Sequence, residues 1–114
     1  MKNKNYMRKP SEKLYDSITK DNLWIYILKI LLKGDCHPYV IREKIEKNFG
    51  FRPGKMTSYI VLKRLEHDGY VKIVKREAIN GPERIYYRIT PKGKEEIKKA
   101  EKIFREWYKK IKSF

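Results

Sequence analysis

The apolar residues of this chain change period part-way along it, and that change restricts the fold more than any other feature. Up to about residue 69 they recur at helical spacing, from Val71 they alternate, and after Thr90 the helical spacing returns. Such a chain has to build a helical cluster, then a hairpin, then a last helix. Leu23, Trp24, Ile27, Leu28, Ile30, Leu31 and Leu32 make a first core helix, which Asp21 can cap and Gly34 can stop. Pro38, with Asp35 or His37 as cap, opens a second helix carrying Val40, Ile41, Ile45 and Phe49 and ending at Gly50. Beyond the connection from Phe51 to Gly54, a third helix runs from about Lys55 to Asp68. It turns Ser58, Val61, Leu62 and Leu65 inward and closes at Gly69.

Val71 and Ile73 then alternate with Lys72, and Ile85, Tyr87 and Ile89 with Arg84, Tyr86 and Arg88, so two strands are predicted. Asn80, Gly81 and Pro82 between them are turn formers, giving an antiparallel hairpin with Lys75 and Arg76 as a flexible, basic approach. Thr90 and Pro91 supply a cap and first turn for a helix running nearly to the end. Ahead of all this, Lys2, Lys4, Arg8, Lys9, Lys13 and Lys20 make a basic arm, with a short helix expected over Ser11 to Thr19. The predicted class is α+β, mainly α: a winged helix-turn-helix with a two-stranded wing, an N-terminal arm or short helix, and a long C-terminal helix. Residues 1–20 form the partly helical arm, 21–90 the winged-helix domain and 91–114 a dimerisation helix.

Charge decides the class of partner. Lys and Arg number 29 against 14 acids, a net +15, which favours a polyanion, and the third helix of a winged fold is the element that enters the major groove of DNA. A single cysteine, Cys36, allows no intrachain disulfide, and nothing at the N-terminus has the pattern of a secretory signal, so a cytoplasmic location is expected. The apolar run Leu23 to Leu32 is broken by Lys29 and is half the roughly 20 residues a membrane crossing needs. Glutamine is absent while Lys, Glu, Ile and Tyr abound, a composition like that of hyperthermophile proteins. No nucleophile elbow, phosphate-cradling glycine loop or repeated Cys/His spacing is present, so neither an enzyme nor a cofactor is expected. Cys36 beside His37 is better read as a buried thiol next to a helix cap than as half of a metal site.

Several stretches carry a family likeness: Leu28 to Leu32, His37-Pro38-Tyr39, the third-helix run Thr57 to Glu66, Gly69-Tyr70-Val71, and Arg84 to Gly93 with its Tyr-x-Ile-Thr-x-x-Gly. Over roughly Leu23 to Ala100 the chain resembles PadR-type transcription regulators of the short form with a single C-terminal dimerisation helix. Two positions depart from that pattern: Pro38 stands where the family usually has glycine, and Ser58 where it usually has an apolar residue. The resemblance implies a DNA-binding regulator, a repressor acting as a homodimer on a palindromic operator, and response to an aromatic small-molecule effector, for which Trp24 or Trp107 could line a pocket.

The residues themselves supply the donors. Lys55, Thr57 and Tyr59 crowd the first turns of the third helix, where Lys55 can reach guanine acceptors or the backbone and Thr57 a thymine methyl or a phosphate. Tyr59, at the position of the family's tyrosine, suits a phosphate. Lys63 and Arg64 lie further along, and Lys75, Arg76 and Arg84 flank the wing turn, where they can follow a minor groove or adjacent phosphates. In the last helix Ile97, Ala100, Phe104, Trp107, Ile111 and Phe114 are spaced 3, 4, 3, 4 and 3, a heptad seam suited to a second copy, or to the chain's own first helix or arm. A sequence-nonspecific architectural protein would need only the charge and none of this patterning. A winged helix that binds protein would show no DNA shift at all.

Overall fold

The computed structural model describes residues 8–114; Lys2 and Lys4 of the predicted arm lie outside the described residues. Helix α1 spans Pro10–Ile18, and a single 3-10 turn, Lys20–Asn22, leads to α2 (Leu23–Leu31). Then come α3 (Pro38–Phe49), α4 (Lys55–His67), strands β1 (Val71–Glu77) and β2 (Arg84–Ile89), and α5 (Pro91–Ser113). The strands pair antiparallel, as the hairpin pattern required.

α2 is the hub. Its Leu23, Ile27, Leu28, Ile30 and Leu31 are buried, and it touches α3, α4, α5 and β2. Ile41 and Ile45 of α3, Leu62 and Leu65 of α4, Val71, Tyr87 and Ile89 of the hairpin, and Ile97 and Ala100 of α5 complete one core. Asp21 does not cap α2. It falls inside the 3-10 turn, and Asn22 takes the cap position, its side chain donating to the Ser17 carbonyl (2.6 Å) and accepting from the Trp24 indole (3.3 Å). Tyr26 stands edge-on to Phe49 and Phe51, at 4.9 and 5.1 Å, and so clamps the end of α3 and the α3–α4 connection onto α2. Gly50, at φ +84°, terminates α3 in the left-handed conformation that glycine adopts without a Cβ penalty.

Strand β1 is longer than its alternation suggested, and Lys75 and Arg76 sit within the ladder, not in a flexible approach. Lys75 opposes Tyr86 and Arg76 opposes Ile85. The reason is a bulge between Ile73 and Lys75: the extra residue, Val74, shifts every later side chain to the other face and hides the strand from a period-2 reading. Beside the hairpin, Cys36 forms a lone antiparallel bridge with Tyr87, exchanging both backbone hydrogen bonds at 3.2 and 2.8 Å. Its buried thiol lies 3.7 Å from Lys44 Nζ. Arg88 grips Asp35 through two bonds of 2.9 and 2.8 Å, and this guanidinium holds the Asp35 carboxyl below its ordinary range. The start of α3 is thus tied to β2.

Ser58 faces inward as its spacing required, and it is buried with no hydrogen-bond partner for its Oγ among the described residues. An unpaired buried hydroxyl forfeits its hydration, and alanine is the better helix former. We expect Ser58→Ala to raise stability by about 1 kcal/mol. Urea titration would show it as a higher midpoint with an unchanged m-value; a lower midpoint would mean that the hydroxyl has a partner in solution.

Candidate nucleic-acid interface

α4 and the hairpin carry the eight predicted DNA contacts, and all eight side chains are exposed. Gly54 precedes α4 as its N-cap, and Ser58 N closes the first turn onto the Gly54 carbonyl at 2.9 Å. Because Ser58, Leu62 and Leu65 point to the core, the opposite face is fixed by helical geometry. Lys55, Tyr59 and Lys63, four apart, form one row, with Lys63 Nζ 6.0 Å from the Tyr59 ring centre. Thr57 and Arg64 fall on the other flank. Arg64 borders a groove of about 500 Å³ that also involves Trp24, Ile60, Tyr70 and Glu96. The five helix residues therefore do not form one cluster, and between the two flanks stand Met56 and Ile60, which the charge-led reading passed over.

In the wing, Lys75 pairs with Glu77 at 3.2 Å and Arg76 with Glu83 at 3.4 Å. Two of the three predicted anchors thus carry their own carboxylates, whereas Arg84 has no ion-pair partner among the described residues. Tyr86 holds the wing to the start of α3: the His37 ring meets it edge-on at 5.2 Å, Lys75 Nζ lies 5.2 Å from its ring centre, and its hydroxyl donates to Glu77 at 3.4 Å. Burial, with Arg84 nearby, pushes the His37 pKa below its usual value.

A second basic corner precedes α4. Arg42 Nε donates to the Pro53 carbonyl at 3.1 Å, and Arg52 pairs with Glu46 at 3.0 Å while lying 5.7 Å from the ring of exposed Tyr39. Tyr39 belongs to the His37-Pro38-Tyr39 stretch. Its signal was an aromatic residue in the first turn of a helix opened by Pro38.

The seam of α5 divides in two. Ile97 and Ala100 are 2% and 5% exposed and belong to the protomer's own core, so they are not available to a second copy. The first part of α5 has to cover α2 and β2, and it spends the start of the stripe doing so. Lys29 of α2 pairs with Glu101 at 2.8 Å at the point where the helix leaves the body. From Glu101 onward every residue is exposed, including Phe104, Trp107, Ile111 and Phe114, with Ile103 and Tyr108 beside them. This stripe does not fold back on α1, which buries none of its own residues and leaves Leu14, Tyr15 and Ile18 exposed. Trp24 and Trp107 consequently stand apart, one at the groove beside α4 and the other on the bare end of α5. Among the described residues no helix is long and apolar enough to cross a membrane, and no three His, Cys, Asp or Glu side chains gather as a metal site would require.

The family model of PadR-like transcriptional regulators matches residues 27–99. A transcriptional regulator from Clostridium thermocellum is 28% identical and superposes with a TM-score of 0.73 over 86% of this chain and 97% of that one. A PadR family transcription regulator from Clostridium difficile is 30% identical, with a TM-score of 0.65 over 77% and 91% of the two chains. Bacillus subtilis PadR, solved in complex with operator DNA, is 25% identical with a TM-score of 0.61, over 68% of this chain and 45% of that one. Helices α2 to α4, a basic wing and a long terminal helix in this order, together with the match over residues 27–99, establish that the chain belongs to the PadR-like family of transcriptional regulators.

Proposed function

We propose that the protein is a sequence-specific repressor that binds a palindromic operator in the cytoplasm as a homodimer. The observation that carries the reading is the exposed face of α4 beside a wing bearing Lys75, Arg76 and Arg84, on a chain of net charge +15. In this reading Lys55, Thr57 and Tyr59 face the base edges and nearest phosphates, and Lys63, Arg64 and the wing cations anchor to the backbone. The operator complex of Bacillus subtilis PadR supports DNA as the partner. The dimer rests on Phe104, Trp107, Ile111 and Phe114, too large an apolar surface for a monomer to leave bare, with the exposed row on α1 as a further apolar surface. Two-fold symmetry would set the two α4 helices about 34 Å apart, one DNA turn. The groove beside Trp24 is the proposed seat of a hydrophobic effector, since it adjoins α4 directly.

Selection of bound sites from random DNA at moderate salt tests the proposal, with a palindromic motif expected. The charge alone also suits a nonspecific architectural protein, which would return a featureless pool. Arg84 offers a clean probe of wing anchoring because, among the described residues, it carries no ion-pair partner of its own. We expect Arg84→Ala to weaken binding to all sequences alike and to make the plot of log affinity against log salt shallower by about one unit. An unchanged slope would remove the wing from the interface.

A further inference from the structure

Met56 and Ile60 are 70% and 57% exposed, four residues apart on the outermost strip of α4. Neither serves the core. They occupy the part of the helix farthest from Ser58, Leu62 and Leu65, between the row Lys55-Tyr59-Lys63 and the flank of Thr57 and Arg64. Although 43 of the 114 residues are charged, none falls between Lys55 and Lys63. A helix that only gripped phosphates would place cations on this strip. An apolar strip bordered by cations instead fits a surface whose rim is anionic and whose floor is partly apolar. The major groove is such a surface, and its apolar feature is the C5-methyl group of thymine.

We propose that Met56 and Ile60 form a thymine-reading strip, packing on the methyl groups of two base pairs, two steps apart, in each half-site. This rests on the operator-binding reading above. At about 1.5 Å per residue the two side chains are about 6 Å apart along the helix, close to two base-pair steps of about 3.4 Å. The strip therefore reads two positions separated by one base pair while Lys55 and Lys63, at its ends, hold the flanking phosphates. Met56, unbranched and polarisable, adapts to either strand's methyl, whereas β-branched Ile60 offers a fixed shape. Ile60 also borders the groove beside Trp24 and Met56 does not, so Met56 is the cleaner variant.

The test substitutes deoxyuridine for each thymine in turn within the site selected from random DNA, removing a methyl group and leaving every hydrogen-bonding atom in place. For the full-length wild-type protein we expect one or two positions per half-site to lose about fourfold in affinity. Met56→Ala and Ile60→Ala should bind the thymine site more weakly and lose that sensitivity, so that thymine and deoxyuridine sites bind alike. Both side chains are exposed, and unchanged thermal midpoints would show that the variants fold. If a motif is selected but no thymine is sensitive, or the sensitivity persists in both variants, the strip does not read methyl groups and the inference is overturned while operator binding stands. A featureless pool overturns the operator reading and the strip together.

Discussion

Gly93→Ala is expected to lower the thermal midpoint by on the order of 10 °C, a loss of about 3 kcal/mol for a domain of this size. Gly93 is buried in the first turn of α5, and a Cβ built there lies 2.7 Å from Ile89 Cγ1 and closer still to the Tyr70 carbonyl oxygen. Neither neighbour can yield cheaply. Tyr70 O accepts from Thr90 N at 3.0 Å, Thr90 Oγ1 donates to Gly69 O at 2.6 Å, and Gly93 N donates back to Thr90 Oγ1 at 3.1 Å. This knot joins the end of α4, the start of β1 and the start of α5. Helix propensity alone would make the substitution favourable by up to about 1 kcal/mol, so the sign of the change is itself informative. A midpoint that rises in calorimetry would show that the backbone of Tyr70 does not approach α5 as closely as described.

If the proposed homodimer forms through the α5 stripe, Trp107→Asp is expected to leave the chain folded and to abolish its assembly. Trp107 is 55% exposed and makes no part of the core, yet it stands at the centre of the bare stripe from Phe104 to Phe114. Truncating a tryptophan at the middle of an interface costs about 2 kcal/mol or more. A symmetric dimer loses two of them and acquires two carboxylates in an apolar contact. Dimerisation should weaken on the order of a thousandfold, and operator affinity should fall with it because each protomer then holds a half-site alone. Sedimentation equilibrium together with band shifts at one salt concentration reads both effects. An unchanged dimer would place the interface elsewhere, and a monomer with undiminished operator affinity would remove the dimer from recognition.

The stripe shows where sequence and structure part. Its 3-4 spacing runs unbroken from Ile97 to Phe114, and nothing in that pattern marks where core ends and bare surface begins. The boundary follows from the length of α2 and the position of β2, which cover the helix only as far as Ala100. The hairpin shows the reverse: the turn at Asn80 to Pro82 is plain in the sequence, but the bulge at Val74 breaks the alternation and hides the strand that carries Lys75 and Arg76. On α4 the cations drew attention to the flanks. The burial of Ser58, Leu62 and Leu65, which their spacing predicted, turns Met56 and Ile60 directly outward.

By itself the sequence determined the order of elements, the inward faces of the helices, the basic character and the family likeness. Each of these depends on local spacing or on composition, which a single chain displays in full. The tertiary structure alone decided which cations keep a carboxylate of their own, which end of the α5 stripe is spent on the core, and why Gly93 has no room for a side chain. Those outcomes arise where segments far apart in sequence meet, as when Tyr70 passes under α5 or Lys29 reaches Glu101, and no local period encodes such meetings.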